Sequence, residues 1–129
     1  MKTMMNLNEL KDKIHNNAVQ KGFWDQERNI GEALMLIVTE LAEGLETHRA
    51  SGKIKLVDDM VKKAMSEMND EEFKEHFALM VKDSFQDEMA DSIIRILDLC
   101  GGLGIDIDWH IHAKMRYNTT RSRLHGKAY

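Results

Sequence analysis

Apolar residues recur along most of the chain at the three-to-four spacing of an α-helix, and no stretch alternates with a strand's period of two. Leu10, Ile14 and Ala18 predict a first helix over about 7–21, capped by Asn8 or Asn6 and ended at Gly22. Leu34, Ile37, Val38, Leu41 and Leu45 form a stripe that predicts a second helix over about 30–50. Ala33, Met35 and Leu36 lie off that stripe. The first turns of this helix are therefore apolar nearly all round, which implies burial on several sides. The pattern loosens from Ser51 to about Asn69, where Leu56, Val57, Met60, Val61 and Ala64 predict a short amphipathic helix. Asn69 or Asp70 then caps a strong helical stretch with Glu71 and Glu72 in its first turn. Whether 71–100 forms one helix or two is left open by the pattern. Gly101, Gly102 and Gly104 are expected to stop it, a last helix follows over about 107–117, and a polar tail begins after Asn118.

Composition supports an all-α reading. The 129 residues include ten methionines and no proline, so nothing interrupts a helical backbone. The length suits a single domain spanning 1–129. Hydrophobic residues at 43% and charged residues at 31% mark a globular rather than a disordered chain. A formal net charge of −4 argues against a nucleic-acid polymer as partner, which calls for a basic excess. The charge is uneven, however: Lys114, Arg116, Arg121, Arg123 and Lys127 lie in a C-terminal stretch without an acid, which fits a small anionic ligand better than a duplex. A lone cysteine, Cys100, excludes an internal disulfide and fits a reducing compartment. With no apolar signal core and no run near a membrane span of about 20 residues, the expected location is the cytoplasm.

The chemistry lies in acids. Glu40 and Glu43 stand three residues apart on the second helix, and Glu88 and Asp91 stand three apart later in the chain. Residues at this spacing share a helix face. Glu40 and Glu43 fall on the side of Ala33 and Leu36, while Glu88 and Asp91 fall beside Phe85, Met89, Ile93 and Ile96. Carboxylates enclosed in this way protonate or need a compensating cation. All-oxygen ligands select a hard ion, Mg²⁺ with Mn²⁺ as substitute. No Cys/His cluster offers a zinc site, and the Glu-x-x-His pairs of a di-iron bundle are missing. Two such acidic pairs also arise by chance in acid-rich helical chains, so spacing alone does not separate a metal site from a solvated face.

The run from Leu36 through Glu40 and Glu43 to Glu46, followed by Asp87-Glu-Met-Ala-Asp91-Ser-Ile-Ile, resembles the Glu-x-x-Glu and Glu-x-x-Asp signature of MazG-like all-α nucleoside triphosphate pyrophosphohydrolases. Lys114-Met-Arg-Tyr-Asn118-Thr-Thr-Arg121, with His125-Gly-Lys127, is similar to the Lys, Tyr-Asn and Arg pattern after the last helix of that family. Lys21-Gly-Phe-Trp24-Asp25 resembles a segment of its small members. The likeness touches nearly the whole chain in order. There are two departures. Thr39 stands where the family often has a further Glu, and the spacer from Glu43 to Glu88 is long, reading as an insertion within 51–85.

The resemblance implies Mg²⁺-dependent cleavage of a (deoxy)nucleoside triphosphate between its α- and β-phosphates, giving monophosphate and pyrophosphate. It implies Glu40, Glu43, Glu88 and Asp91 as metal ligands. Glu43 or Glu46 would be the base that takes a proton from water, and Lys114, Asn118 and Arg121 would bind phosphate or sugar. Trp24 would stack on the base and His15 would line its pocket, although both residues also read as ordinary core or structural groups. Trp109 reads as core or interface. A helix apolar nearly all round calls for a partner, so a bundle of about four to five helices completed by oligomerisation, as a homodimer or homotetramer, is expected. The competing reading is a non-catalytic helical protein that binds nucleotides or pairs with another protein through its Met-rich faces.

Overall fold

The computed structural model describes residues 5–129. Among them, regular structure is entirely helical: α1 Leu7–Gln20, α2 Ile30–Ser51, α3 Asp59–Ser66, α4 Asp70–Met80, α5 Phe85–Gly102 and α6 Ile107–Thr119. A short 3₁₀ turn, Arg123–Gly126, interrupts the expected polar tail. No helix among the described residues is long and apolar enough to cross a membrane.

Local chemistry explains the boundaries. Asn6 caps α1 in a reciprocal box with Glu9, and Asn29, Asp58, Asn69 and Asp106 cap α2, α3, α4 and α6, each accepting from a backbone N–H three residues on. The stretch 71–100 is two helices, not one. Between them Asp83 adopts a left-handed φ of 63°, and its N–H donates to Asp87 Oδ2 at 2.9 Å. Ser84 Oγ accepts from the Asp87 N–H at 3.2 Å. This Ser-x-x-Asp arrangement starts α5 afresh.

The glycines near the end of α5 divide their work differently from the expectation. Gly101 and Gly102 lie inside the helix, and Gly104, at φ 67°, follows its end. A Cβ on Gly101 would stand 2.5 Å from His15 Cβ, and one on Gly102 would strike the Trp24 ring. Both glycines are there for close approach, and only the third turns the chain.

The chain divides into two compact units: Arg28–Arg95, and the described part of Met1–Glu27 together with Ile96–Tyr129. In the first, α3 packs on α4, and Ala33, Ile37 and Met65 are the buried apolar residues. In the second, α1 packs on α6, and Leu97, Leu99 and Cys100 are buried. There Lys11 Nζ donates to the Ile105 carbonyl at 2.9 Å, and Asn8 Nδ2 donates to Asp106 Oδ1 at 2.7 Å.

The buried line of α2 differs from its apolar stripe. Ala33, Ile37, Glu40 and Gly44 follow one another at helical spacing, all buried or half-buried. Of the stripe itself only Ile37 is buried; Leu34, Val38, Leu41 and Leu45 are each about half exposed. On α5 Glu88 and Ser92 are buried, whereas Ile93 and Ile94 are exposed. Polar side chains thus occupy interior positions while aliphatic ones face outward.

Candidate functional site

Gly44 marks where α2 and α5 come close together. A Cβ there would stand 2.9 Å from Met89 Cε and 3.5 Å from Glu88 Cβ, so α5 lies close against α2 one turn beyond Glu40. In the same unit Phe85 packs edge-on to His48 with ring centroids 6.3 Å apart. This contact seats the first turn of α5, from which Glu88 projects.

The structure brings Glu40, Glu43 and Glu88 together, with one oxygen from each within 4.8 Å of the others. Their environments differ. Glu43 is exposed, Glu40 is half-buried and Glu88 is only 3% exposed. Glu88 Oε2 is fully enclosed and has no hydrogen-bond partner among the described residues. Burial, followed by the nearness of Glu40 and Glu43, pushes the Glu88 carboxyl up to about 8. At neutral pH and without a cation, Glu88 is therefore mostly protonated.

Glu40 behaves in the opposite sense. Burial works to raise its carboxyl, but hydrogen bonds from Arg95 and Glu88 and the charge of Arg95 together hold it below the usual range. Arg95 Nε donates to Glu40 Oε1 at 2.7 Å, a short, charge-assisted bond. Asp91 stands outside the three-glutamate group but feels it: burial first, then the charges of Asp87, Glu40 and Glu43, raise its carboxyl, with Arg95 opposing.

Glu46 is placed elsewhere. Its exposed carboxylate accepts from Arg49 Nη1 at 3.2 Å, and it does not join the cluster. Of the two candidate bases, only Glu43 stands with the other acids.

The candidate ligand residues of the other unit form two groups. His15 Nδ1 and Trp24 Nε1 each lie 2.9 Å from Asp98 Oδ1, with the two rings edge-to-face at 5.0 Å between centroids. Asp98 was not among the site residues singled out from the sequence. Its apolar neighbours Leu97, Leu99 and Cys100 were the available sign that it is buried. Around Tyr117 of α6, Lys114 Nζ and the guanidinium of Arg121, just beyond the helix, lie 5.0 and 5.6 Å from the ring centroid. Asn118 Oδ1 is enclosed without a hydrogen-bond partner among the described residues. Trp109 is largely exposed and lines an open groove of about 510 Å³ with His112, Arg116 and Tyr117.

No family model, no curated protein and no solved structure matches the chain.

Proposed function

We propose that this chain is a Mg²⁺-dependent nucleoside triphosphate pyrophosphohydrolase of the MazG-like kind, releasing a monophosphate and pyrophosphate. The observation that carries the reading is the meeting of Glu40, Glu43 and Glu88, with an enclosed Glu88 oxygen that lacks a partner. The donor set is all carboxylate oxygen, which suits Mg²⁺ or Mn²⁺ and not a soft ion. When bound, such an ion would neutralise charge on the triphosphate and acidify an attacking water.

Glu40, Glu43 and Glu88 would hold the ion, with Asp91 completing the set after a change of side-chain conformation. Glu43, the exposed member, is the group positioned to accept a proton from water. Lys114 and Arg121 are assigned to phosphate oxygens and Asn118, with its unpartnered oxygen, to a sugar hydroxyl donor. Trp24 and His15 are assigned to the base.

The active form is proposed to be a homo-oligomer, a dimer or tetramer. Support comes from the half-exposed aliphatic faces of α2 and α5, made by Leu34, Val38, Leu41, Leu45, Ile93 and Ile94. An apolar surface of this kind is costly in water, and a second copy offers the same surface in return.

The test is a panel of purified nucleoside triphosphates incubated with Mg²⁺, with monophosphate and pyrophosphate both quantified. At least one triphosphate should yield the two products in equal amounts. Glu40→Gln and Asp91→Asn should each lower the rate by about 10²–10³-fold with helicity unchanged. Absence of pyrophosphate across the panel would leave the non-catalytic helical binder standing.

A further inference from the structure

We propose that Arg95 is a displaceable cation, seated on Glu40 while the site lacks a divalent ion and released from it when one enters. The inference rests on the metal-site reading above and adds to it a residue that sets metal affinity.

The argument starts from the arrangement of charges. Glu40, Glu43 and Glu88 crowd their oxygens within 4.8 Å, and the fixed cation bonded to the group is the Arg95 guanidinium, through Nε to Glu40 Oε1 at 2.7 Å. The bond occupies one of the two lone pairs of this oxygen, and the guanidinium charge held there repels a second cation arriving at the same acids. Geometry makes the exchange feasible in one direction only. The Glu40 side chain is 12% exposed and held on the buried line of α2, whereas Arg95 is 37% exposed. Arg95 can therefore swing into water and recover hydration for its guanidinium, while Glu40 stays in place. The enclosed Glu88 oxygen gains nothing from Arg95, because it has no hydrogen-bond partner at all among the described residues. A compact ion shared by all three acids would satisfy both Glu40 and Glu88, which one guanidinium at this position does not do. Arg95 is thus a positioning residue: it keeps Glu40 ionised and oriented in the metal-free protein, at the cost of competing with the metal.

Two measurements on the full chain separate the outcomes. The first follows arginine Nε–H resonances by NMR during a Mg²⁺ titration, with the Arg95 signal identified by its loss in Arg95→Gln and Arg95→Lys. The second compares Mn²⁺ binding to wild type and Arg95→Gln by the EPR signal of free Mn²⁺. The expected results are a hydrogen-bonded Arg95 signal that shifts to the solvated position as Mg²⁺ saturates, and Mn²⁺ binding about 3–10-fold tighter in Arg95→Gln. An Arg95 signal unmoved at saturating Mg²⁺ overturns the proposal while leaving the metal site intact. So does unchanged or weaker Mn²⁺ binding in Arg95→Gln, which would make Arg95 an orienting group only. If wild type binds neither ion, this inference falls together with the metal-site reading. If the ions bind and Arg95 moves but no triphosphate is cleaved, the exchange holds and the hydrolase assignment alone fails. Should Arg95→Gln not fold, Arg95→Lys identifies the resonance, and its shift or immobility in the wild-type titration supports or overturns the exchange.

Discussion

One helix, α5, carries two buried acids ten residues apart, and their surroundings are opposites. Asp98 is met by two ring nitrogens, His15 Nδ1 and Trp24 Nε1, both at 2.9 Å. Glu88 is met by two more carboxylates and has an enclosed oxygen without a partner. Both residues are more than nine-tenths buried, so burial alone does not distinguish them. What differs is the supply of donors. A buried carboxylate with N–H groups aimed at it serves as a structural acceptor. One surrounded by other acids must keep a proton or acquire a cation. The first arrangement has its donors in place, and the second is the one to which the proposed cation is assigned.

Substitution at the two positions should therefore give different kinds of defect. The largest effect is expected at Glu88. Glu88→Gln preserves shape and burial but removes the charge a metal needs, and steady-state assays should show hydrolysis reduced by roughly 10³-fold, about 4 kcal/mol of transition-state stabilisation. The same variant should lose a pH dependence of stability. The Glu88 carboxyl titrates near 8 in the folded protein against 4.5 without its surroundings, so across that window the folded state holds a proton that the unfolded state has released. Its contribution is complete below about 4.5 and is lost as the pH rises through about 8. Metal-free wild type should thus lose on the order of a few kcal/mol from this group over that range. Thermal melts of Glu88→Gln should lack that part of the decline, and above pH 8 the variant should be the more stable protein. Equal pH slopes in the two proteins would remove the contrast between the acids.

Asp98 should respond in the other sense. Asp98→Ala takes the Asp98 acceptor away from the Trp24 and His15 ring nitrogens, at a cost of about 3 kcal/mol, read as a fall of roughly 10 °C in Tm. Asp98→Asn keeps an acceptor oxygen and should recover most of the loss. A smaller effect is expected from Gly101→Ala, which presses a methyl group against His15 and should cost about 1–2 kcal/mol despite the better helix propensity of alanine. Denaturant melts would resolve it, and an unchanged midpoint would mean that α1 accommodates the methyl group by shifting.

The sequence disclosed the helices well, because caps and apolar spacing are local properties. Asn6, Asn29, Asp58, Asn69 and Asp106 each cap through a bond to a residue three positions on, so no tertiary information was needed to expect helices there. The split at Asp83 was legible in principle, since Ser84 and Asp87 form the start signal, but it lay inside a longer helical pattern. The acids could be paired within each helix by spacing. Which pair would meet which could not be read from spacing, whereas the bond of Glu46 to Arg49, three residues on along the same helix, could have been.

The apolar stripe of α2 illustrates the same divide. Leu34, Val38, Leu41 and Leu45 mark an apolar face that periodicity finds, and each is about half exposed. Within the chain the covered line runs instead through Ala33, Ile37, Glu40 and Gly44. Gly44 on that line permits close approach to α5, a consequence of steric fit between two helices distant in sequence.

What the sequence by itself determined is the helical character of the chain, its end signals and the residue types available for chemistry, because these depend on neighbours within a turn or two. Only tertiary structure decided that Glu88 lies beside Glu40 and Glu43, that Arg95 bonds to Glu40, and that Asp98 is given to His15 and Trp24. Each of these depends on which helix faces overlap and how closely. Electrostatics then follows from that overlap, since a carboxyl group becomes acceptor, proton carrier or ligand according to the atoms within a few ångströms of it.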